Sequence, residues 1–448
     1  MYKPIDDVTA TPKTVFAEAG GSSLGLAPLR GEESVDAVVI GGGFVGCSAA
    51  LHIAERGMRV VLLEANEIGW GSAGRNVGQV APRATKFEPE TVLKIYGPVY
   101  GARLNDAGAG APDFVTDLAD RYDIDITVVR SGILTAAHTP AAAETLRQRT
   151  EYWQRLKVPV EFLTRREASE VIGSDDYHGA MIDRRGIAIN PLAFVRGLAL
   201  AAISQGAVLY ERTRMTGLTR VGEEWRVATD EGALKAQHVL LCTNAYTDDA
   251  WPGLKKTVIP VRGYQIWSKP LSKADRGRIL RGISAMVDTR RLLSGMRLHP
   301  DGRLQFSGGL GLGREIEPEL AKRLGQIQAI FPDIGLIEAE GWWSGWVTRG
   351  ISDGWRLHRL APGLLTAIAC NGRGVAMGAI MGRELARHVC GVPAEDLIIA
   401  LTRPRQIPGF AFHKSVAALA LRFWGWKDRR EIRQATKLVE RTSERPAA

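Results

Sequence analysis

Residues 35–64, VDAVVIGGGFVGCSAALHIAERGMRVVLLE, restrict what this chain can fold into more than any other stretch. An apolar, β-branched run with Val35, Val38, Val39 and Ile40 predicts a buried parallel strand. It ends in Gly41-Gly42-Gly43-Phe44-Val45-Gly46, which has the spacing G-x-G-x-x-G. An alanine-rich helical segment follows from Cys47 to Arg56, with Gly57 placed to stop it. A second apolar run, Val60 to Leu63, delivers Glu64 about 20 residues past the glycines. Gly41 permits a tight turn, Gly43 lets backbone approach a pyrophosphate, and Gly46 lets helix and strand pack closely. The N–H groups at the helix start face anionic phosphates, and Glu64 accepts hydrogen bonds from an adenosine ribose. Glycines at this spacing are a weak signal alone. Strand, glycines, helix, strand and acid in this order predict a dinucleotide site.

With 448 residues there is room for two domains, and 45% hydrophobic with 24% charged residues is the balance of a globular protein. No apolar run is long enough to span a membrane, and MYKPIDDVTATPKT has neither the apolar core of a signal peptide nor the composition of a transit peptide. Cytoplasm is the expected location. Cys47, Cys242, Cys370 and Cys390 are scattered without C-x-x-C spacing, so neither a disulfide framework nor a zinc site is expected. His52, His178, His299 and His358 show no metal spacing either. The net charge of +9 would suit nucleic acid or anionic lipid, but much of the excess sits near the C-terminus and no aromatic-interleaved basic patch accompanies it. No nucleic-acid partner and no stable membrane insertion are expected.

Residues 1–34 read as an arm laid over the first domain. After Glu64 comes Gly69-Trp70-Gly71-Ser72-Ala73-Gly74-Arg75-Asn76-Val77-Gly78-Gln79, where so much glycine predicts backbone close to a ligand. Arg75 could pair with phosphate there, and Asn76 and Gln79 are hydrogen-bonding candidates. Residues 91–122 predict helix, 124–137 a strand pair turning at Ser131-Gly132, and 141–157 and 164–172 two further helices. Pro191 starts a helix through Gln205. A short strand then ends near Met215, and a three-stranded meander leads into HVLLCTNA, a buried strand ending in Thr243 and Asn244 at a sheet's carboxyl edge. From Val258 the chain reads as long β segments with a Pro300-Asp301-Gly302 turn, a helix over 318–331, and a strand over 337–348 bearing Trp342, Trp343 and Trp346. It then returns to α/β: a strand over 363–369, the turn Asn371-Gly372-Arg373-Gly374, and a helix over 375–390 that brings Val375 and Ala376 to its first turn.

That second strand–glycine turn–helix distinguishes one dinucleotide from another. An NAD enzyme has little need of it. A flavin ring gains negative charge at N1 and the C2 carbonyl on reduction, and a helix N-terminus with Arg373 beside it stabilises that charge. One anchor for ADP and one for the ring favour FAD.

The segments VVIGGGFVGCSAALHIAERG, GSAGRNVGQV, IPVRGYQIW, DGRLQFSGG and APGLLTAIACNGRGVAMGAIMGREL together resemble the FAD-dependent D-amino acid oxidase/glycine oxidase superfamily, and more closely its gamma-glutamylputrescine oxidoreductase-like branch. The resemblance covers roughly residues 35–425. It implies an α/β fold: a Rossmann-like FAD-binding domain with a discontinuous α+β substrate domain built on a mostly antiparallel sheet. The expected division is FAD-binding domain 35–105, 190–250 and 346–391; substrate domain 106–189 and 251–345; and a basic amphipathic segment 392–448 that docks on its own domain. The implied chemistry is oxidation of a C–N bond of an amine or amino acid by hydride transfer to flavin N5. The resulting imine hydrolyses, and oxygen or an electron carrier takes the electrons. Attachment of FAD is expected to be non-covalent, since the context of Cys370 differs from that of a covalent cysteine. Val77, the segment Ser294-Gly295-Met296-Arg297 and residues 350–355 depart from the branch pattern, the latter two where the substrate should lie.

Candidate cofactor contacts are therefore Gly41, Gly43, Phe44, Val45, Gly46, Glu64, Ala65, Ser72, Ala73, Arg75, Asn76, Gln79, Met215, Thr243, Asn244, Gly372, Arg373, Gly374, Val375 and Ala376. Hydride transfer needs a neutral amine held about 3 Å from N5 in an apolar box with a few polar anchors, not a triad or a metal. Tyr264, Gln265, Trp343 and Trp346 are candidate walls, each equally readable as core. Arg297, Arg349 and Arg373 are candidates to hold a carboxylate or tune the flavin, the first two also readable as exposed arginines. A 2-hydroxy-acid dehydrogenase and a nucleic-acid-associated flavoprotein are the alternatives on the same fold.

Overall fold

The computed structural model describes residues 13–19, 22–292, 295–311, 317–350 and 354–443. They form two compact units, one from residues 1–128, 189–261 and 345–410, the other from 129–188, 262–344 and 411–448.

The first unit is built on a sheet in the order Leu401–Thr402, Arg356–Ala361, Leu364–Ile368, Gly232–Leu241, Gly31–Ile40, Val60–Leu63, Val208–Tyr210. The five strands from Leu364–Ile368 to Val208–Tyr210 run parallel. Being covered on both faces, they are apolar without alternation: Val60–Leu63 is buried at every position. One face packs Val38, Val61, Val239, Leu364 and Trp225 into a core. The opening strand begins at Gly31 rather than Val35, because residues 31–34 pair in register with 232–235.

Two helices rise from strands on either side of Gly232–Leu241, Phe44–Ala54 after Gly31–Ile40 and Val375–Val389 after Leu364–Ile368. They pack closely through small residues. A Cβ on Gly382 would lie 2.3 Å from the Val45 carbonyl oxygen, one on Gly378 3.1 Å from Phe44 Cβ, and Ser48 Oγ donates to the Ala379 carbonyl at 2.7 Å. Phe44 faces Gly378 and Ser48 faces Gly382, so the helices run parallel, with Val375–Val389 beginning three residues, about 4.5 Å, ahead of the level of Phe44.

The arm is tied to this unit. Val15 and Phe16 are buried, Asn190 Nδ2 donates to the Phe16 carbonyl, and the Leu26 and Leu29 amides donate to Glu211 and Thr213. Residues 1–12, 20 and 21 of the expected arm lie outside the described residues. The segment expected as one helix over 91–122 is three, Pro89–Tyr96, Pro98–Ala109 and Ala111–Arg121, parted at Gly97 and Gly110. Residues 106–128, read from sequence as substrate domain, group with the first unit, where the Arg383 guanidinium sits 4.9 Å over the Phe114 ring.

The second unit carries a sheet in the order Ala339–Arg349, Ile259–Pro270, Arg303–Gly311, Gly295–Leu298, Ala285–Asp288, Ile133–Ala136, Ala180–Asp183, Val160–Leu163. It is mostly antiparallel, with Ala285–Asp288 and Ile133–Ala136 paired in parallel. The strand pair expected over 124–137 is a single strand, Ile133–Ala136. Val129 instead makes an isolated bridge to Ala188, so Ser131-Gly132 does not close a hairpin. The core face holds Leu134, Ile182, Ile266, Met286, Met296, Leu304 and Phe306. The C-terminal helix His413–Ser443 groups with this unit. No helix among the described residues is long and apolar enough to cross a membrane.

The helix contact at Gly382 gives the first prediction. Gly382→Ala should lower stability by about 1–3 kcal/mol, because its methyl meets backbone that cannot move aside. Gly325→Ala, in the helix Glu317–Ile330 with nothing within 4 Å, should leave stability unchanged or raise it. Denaturant midpoints of the two variants check this.

Candidate active site

The glycine turn after the first strand is shaped by contacts that tolerate no side chain. Gly41 has φ +109°, and a Cβ there would sit 3.1 Å from the Cys242 carbonyl oxygen. A Cβ on Gly46 would fall 1.9 Å from the Gly41 oxygen. Gly43 is different. It is the N-cap of Phe44–Ala54, no side chain caps the helix, and its Cβ would meet only Ala73 Cβ, at 3.9 Å. The space beside it is open and faced by helix-start N–H groups, as a pyrophosphate requires.

Glu64, at the end of the second strand, accepts from the Gly42 amide at 2.7 Å and the Asn66 amide at 2.8 Å. Loss of water raises its pKa, and the two N–H bonds work against that rise. Ala65 follows it directly and is half-buried. Met215 is buried in the core beneath the sheet.

The loop 69–79 is fixed by its own aromatic residues. Trp70 meets Tyr246 edge-on at 5.4 Å, and Arg75 stacks 4.2 Å over Trp70 while donating from Nε to the Trp70 carbonyl at 2.6 Å. Ser72 Oγ donates to the Trp346 carbonyl, and the Trp346 amide donates to Tyr246 Oη at 3.3 Å. Asn76 uses its amide within the loop, donating to the Ser72 and Ala73 carbonyls and accepting from Gly78 N–H. Arg75 and Asn76 thus shape the loop, and Ala73 presents its methyl toward Gly43. Gln79 begins the two-residue strand Gln79–Val80 and is half-buried.

The carboxyl ends of neighbouring strands bring the late residues together. Thr243 Oγ1 lies 2.7 Å from Thr247 Oγ1, and Asn244, at φ +41°, accepts from Thr348 Oγ1 at 2.9 Å. Thr348 in turn accepts from the Cys370 amide at 3.0 Å. Asn371 takes the Gly350 amide at 3.0 Å, donates to the Ala369 carbonyl at 2.8 Å, and its own carbonyl accepts from Arg349. Arg349 is therefore half-buried against the turn, not an exposed arginine. The Arg373 carbonyl accepts from Trp355 Nε1 at 3.0 Å, which pins the turn ahead of the helix. Gly374 is the N-cap of Val375–Val389, again with no side-chain cap, and nothing lies within 4 Å of a Cβ built on Gly372 or Gly374. Val375 and Ala376 are buried in the first turn. Two uncapped helix N-termini thus stand within about one turn of each other at one sheet edge.

In the second unit, the sheet face opposite the apolar core is polar yet buried. Cross-strand register puts Gln265 opposite Ser307, and Trp267 and Arg297 both opposite Gln305. Gln305 donates to Gln265 Oε1 at 3.1 Å and accepts from His299 Nε2 at 2.9 Å. Arg297 is 2% exposed, which overturns its reading as a surface arginine, and burial brings its guanidinium down to about 10. Burial, then the Arg297 charge, brings His299 down to about 4. Tyr264 is buried under the Arg262 guanidinium, 5.2 Å from its ring, and Arg262 donates to Ser344 Oγ at 2.8 Å. Trp343 is buried against Trp267 with centroids 5.2 Å apart, so it backs the strand Ile259–Pro270. Sequence reasoning missed Gln305 and Ser307, whose signal was only the alternation of Gln305, Ser307 with Leu304, Phe306. Ser294 and residues 351–353, part of the two expected substrate-side departures, lie outside the described residues.

His138, Asp428 and Glu431 bring ligand-type atoms within 4.8 Å of one another, but Arg291 donates to both carboxylates and supplies the positive charge a cation would bring.

This chain belongs to the family of FAD dependent oxidoreductases (DAO), which matches residues 36–388. FAD is its cofactor, and the bare helix starts at Gly43 and Gly374 are cradles that fit it. Among relatives, the chain is 28% identical over 405 residues to "Probable oxidoreductase OrdL" of Rhizobium meliloti, covering 90% of this chain and 94% of that protein. It is 29% identical over 388 residues to gamma-glutamylputrescine oxidoreductase of Escherichia coli, covering 86% and 90%. The crystal structure of glycine oxidase from Geobacillus kaustophilus has the same fold, with a TM-score of 0.68 at 23% identity over 80% of this chain and 94% of that one.

Two outcomes are expected. Gly43→Ala leaves the FAD-free protein as stable as wild type but weakens FAD about tenfold or more, since the methyl enters the pyrophosphate space. Titration with FAD beside melting of the apoprotein separates the two effects. His299 has a folded pKa near 4 against an ordinary 6.5, so the folded state binds fewer protons between these values. Its contribution, on the order of 3 kcal/mol, is present above about pH 6.5 and lost as pH falls toward 4. His299→Gln should flatten the decline of the urea midpoint over that range.

Proposed function

We propose that this protein oxidises the C–N bond of an amine or amino acid with FAD, by hydride transfer to flavin N5, giving an imine that hydrolyses to a carbonyl and a released amine. The observation that carries the reading is the pair of uncapped helix N-termini at Gly43 and Gly374 on one parallel sheet edge, in a chain of this family. Relatives named for gamma-glutamylputrescine and for glycine support an amine or amino acid as the substrate class.

When bound, FAD supplies the two-electron acceptor. The chain's own residues do the rest. Glu64 accepts from the adenosine ribose, and the helix start at Phe44 and Val45 receives the pyrophosphate. Gly41, Gly46, Ser72, Ala73, Arg75 and Asn76 hold the turn and loop that border this space. Thr243, Asn244 and the turn Gly372–Gly374 line the strand ends, and Gln79, Ala65 and Met215 complete the cofactor set. The N-terminus of Val375–Val389, with Arg373 beside it, stabilises negative charge on the ring. Tyr264 and Gln265 wall the substrate space, with Trp343 behind them. The second unit offers Arg297, buried and cationic, and the first offers Arg349, each a cation suited to a carboxylate. FAD is held without a covalent bond; Cys370 is a buried thiol at a strand end next to Thr348. Oxygen or an electron carrier takes the electrons.

Anaerobic mixing with D-amino acids, N-methyl amino acids, polyamines and gamma-glutamyl amines, beside 2-hydroxy acids, tests the reading. At least one amine should bleach the flavin absorbance and release amine or ammonia. Bleaching by hydroxy acids alone would contradict it. Arg373→Met should lower the flavin midpoint potential by about 20 mV, because a cation favouring the reduced ring is lost, and Arg373→Lys should restore most of it.

A further inference from the structure

The helix His413–Ser443 uses two opposite faces differently. Gly425, Asp428 and Ala435 are buried and fall on the docked side. Asp428 accepts from the Arg291 and Leu292 amides and, with Glu431, from the Arg291 guanidinium. These hydrogen bonds hold the helix on the second unit.

Among the described residues, no hydrogen bonds of this kind hold the other side. Phe412, Val416, Leu419, Phe423 and Trp426 follow one another in steps of four, three, four and three, which puts all five on one stripe. All five are exposed, Phe412 by 69% and Leu419 by 65%. Trp424, 42% exposed, stands at the edge of the docked side. At 1.5 Å per residue the stripe is about 22 Å long. Phe423 and Trp426 stack at 6.0 Å, and Arg430 lies 5.4 Å over the Trp426 ring.

The charges decide what covers it. Arg422, Lys427, Arg429, Arg430 and Arg433 lie along or beside the stripe. Between 411 and 435 the acids are Asp428 and Glu431, and both are engaged by Arg291 on the docked side. The outward face is therefore apolar with purely positive flanks. A second copy of this chain packing through the same stripe would set these cations against one another. An anionic lipid surface complements them, and aromatic rings with Lys and Arg at their edges suit the headgroup boundary.

We propose that this helix is a peripheral membrane-binding surface that lays the stripe 412–426 onto anionic lipid. No described helix is long and apolar enough to cross a bilayer, so the surface proposed is one that lies along the lipid boundary. The association places the enzyme where a lipid-soluble electron carrier could reach it, though the proposal does not depend on that use.

FAD-saturated full-length protein is floated with vesicles of phosphatidylcholine alone and of phosphatidylcholine mixed with phosphatidylglycerol. Binding is expected only with the phosphatidylglycerol vesicles, and it should weaken as salt is raised. Phe423→Ser with Trp426→Ser should abolish it, and Arg429→Glu with Arg430→Glu should weaken it about tenfold or more, both with an unchanged flavin spectrum. Because these side chains are exposed, that spectrum certifies the fold. No binding to the anionic vesicles, or equal binding to both kinds, would overturn the proposal. So would a wild-type dimer in sedimentation velocity that Phe423→Ser with Trp426→Ser converts to monomer, since the stripe would then be a protein interface.

Discussion

The close approach of Phe44–Ala54 to Val375–Val389 is what the rest of the first unit depends on. The two helices come from segments more than three hundred residues apart, and only small residues let their backbones meet: Gly378 under Phe44, Gly382 against the Val45 carbonyl, and Ser48 hydrogen-bonded to the Ala379 carbonyl. The parallel strands beneath set the direction of both helices. Close packing then keeps their starts within about one turn of each other, so N–H groups from two ends of the chain stand at one sheet edge. Neither Gly43 nor Gly374 offers a side chain to cap its helix, and the unsatisfied donors are left for an anionic cofactor.

Around that pair the loop 69–79 and the strand ends form a frame whose polar groups bond mainly to one another. Arg75 lies flat on Trp70, Asn76 closes its own loop, and Asn371 ties the turn before Val375–Val389 to Gly350. Such a frame fixes the donors before any ligand arrives, which is what preorganisation requires. In the second unit the division of labour is between two faces of one sheet. Ile266, Met296 and Phe306 make an apolar core, while Gln265, Arg297, His299 and Gln305 form a buried polar layer on the other side.

The first anchor was legible in the sequence because its signal is local: a strand, three glycines and an acid at fixed spacing. The second was legible as a strand, a glycine turn and a helix, though the sequence did not show that Gly378 and Gly382 would seat it on the first helix. The roles of Arg75 and Asn76 were not legible, since both side chains are used on backbone within a few residues, and only the folded loop reveals that. Arg297 could be read either as a carboxylate-holding candidate or as an exposed arginine, because an isolated arginine in a strand gives no sign of which face is covered. The strand pair expected over 124–137 failed for a related reason: Val129 pairs with Ala188, and periodicity in a short run cannot choose between a near partner and a distant one. The C-terminal helix did read as amphipathic, but its docked and exposed stripes separate only when burial along it is known.

The most direct measurement is a crystal structure of the protein grown with FAD. The account predicts the pyrophosphate against the helix start at Phe44 and Val45, the ribose at Glu64, and the N1 side of the isoalloxazine ring at the helix start after Gly374. A ring placed away from the Val375–Val389 helix, or a pyrophosphate away from Gly43, would contradict it.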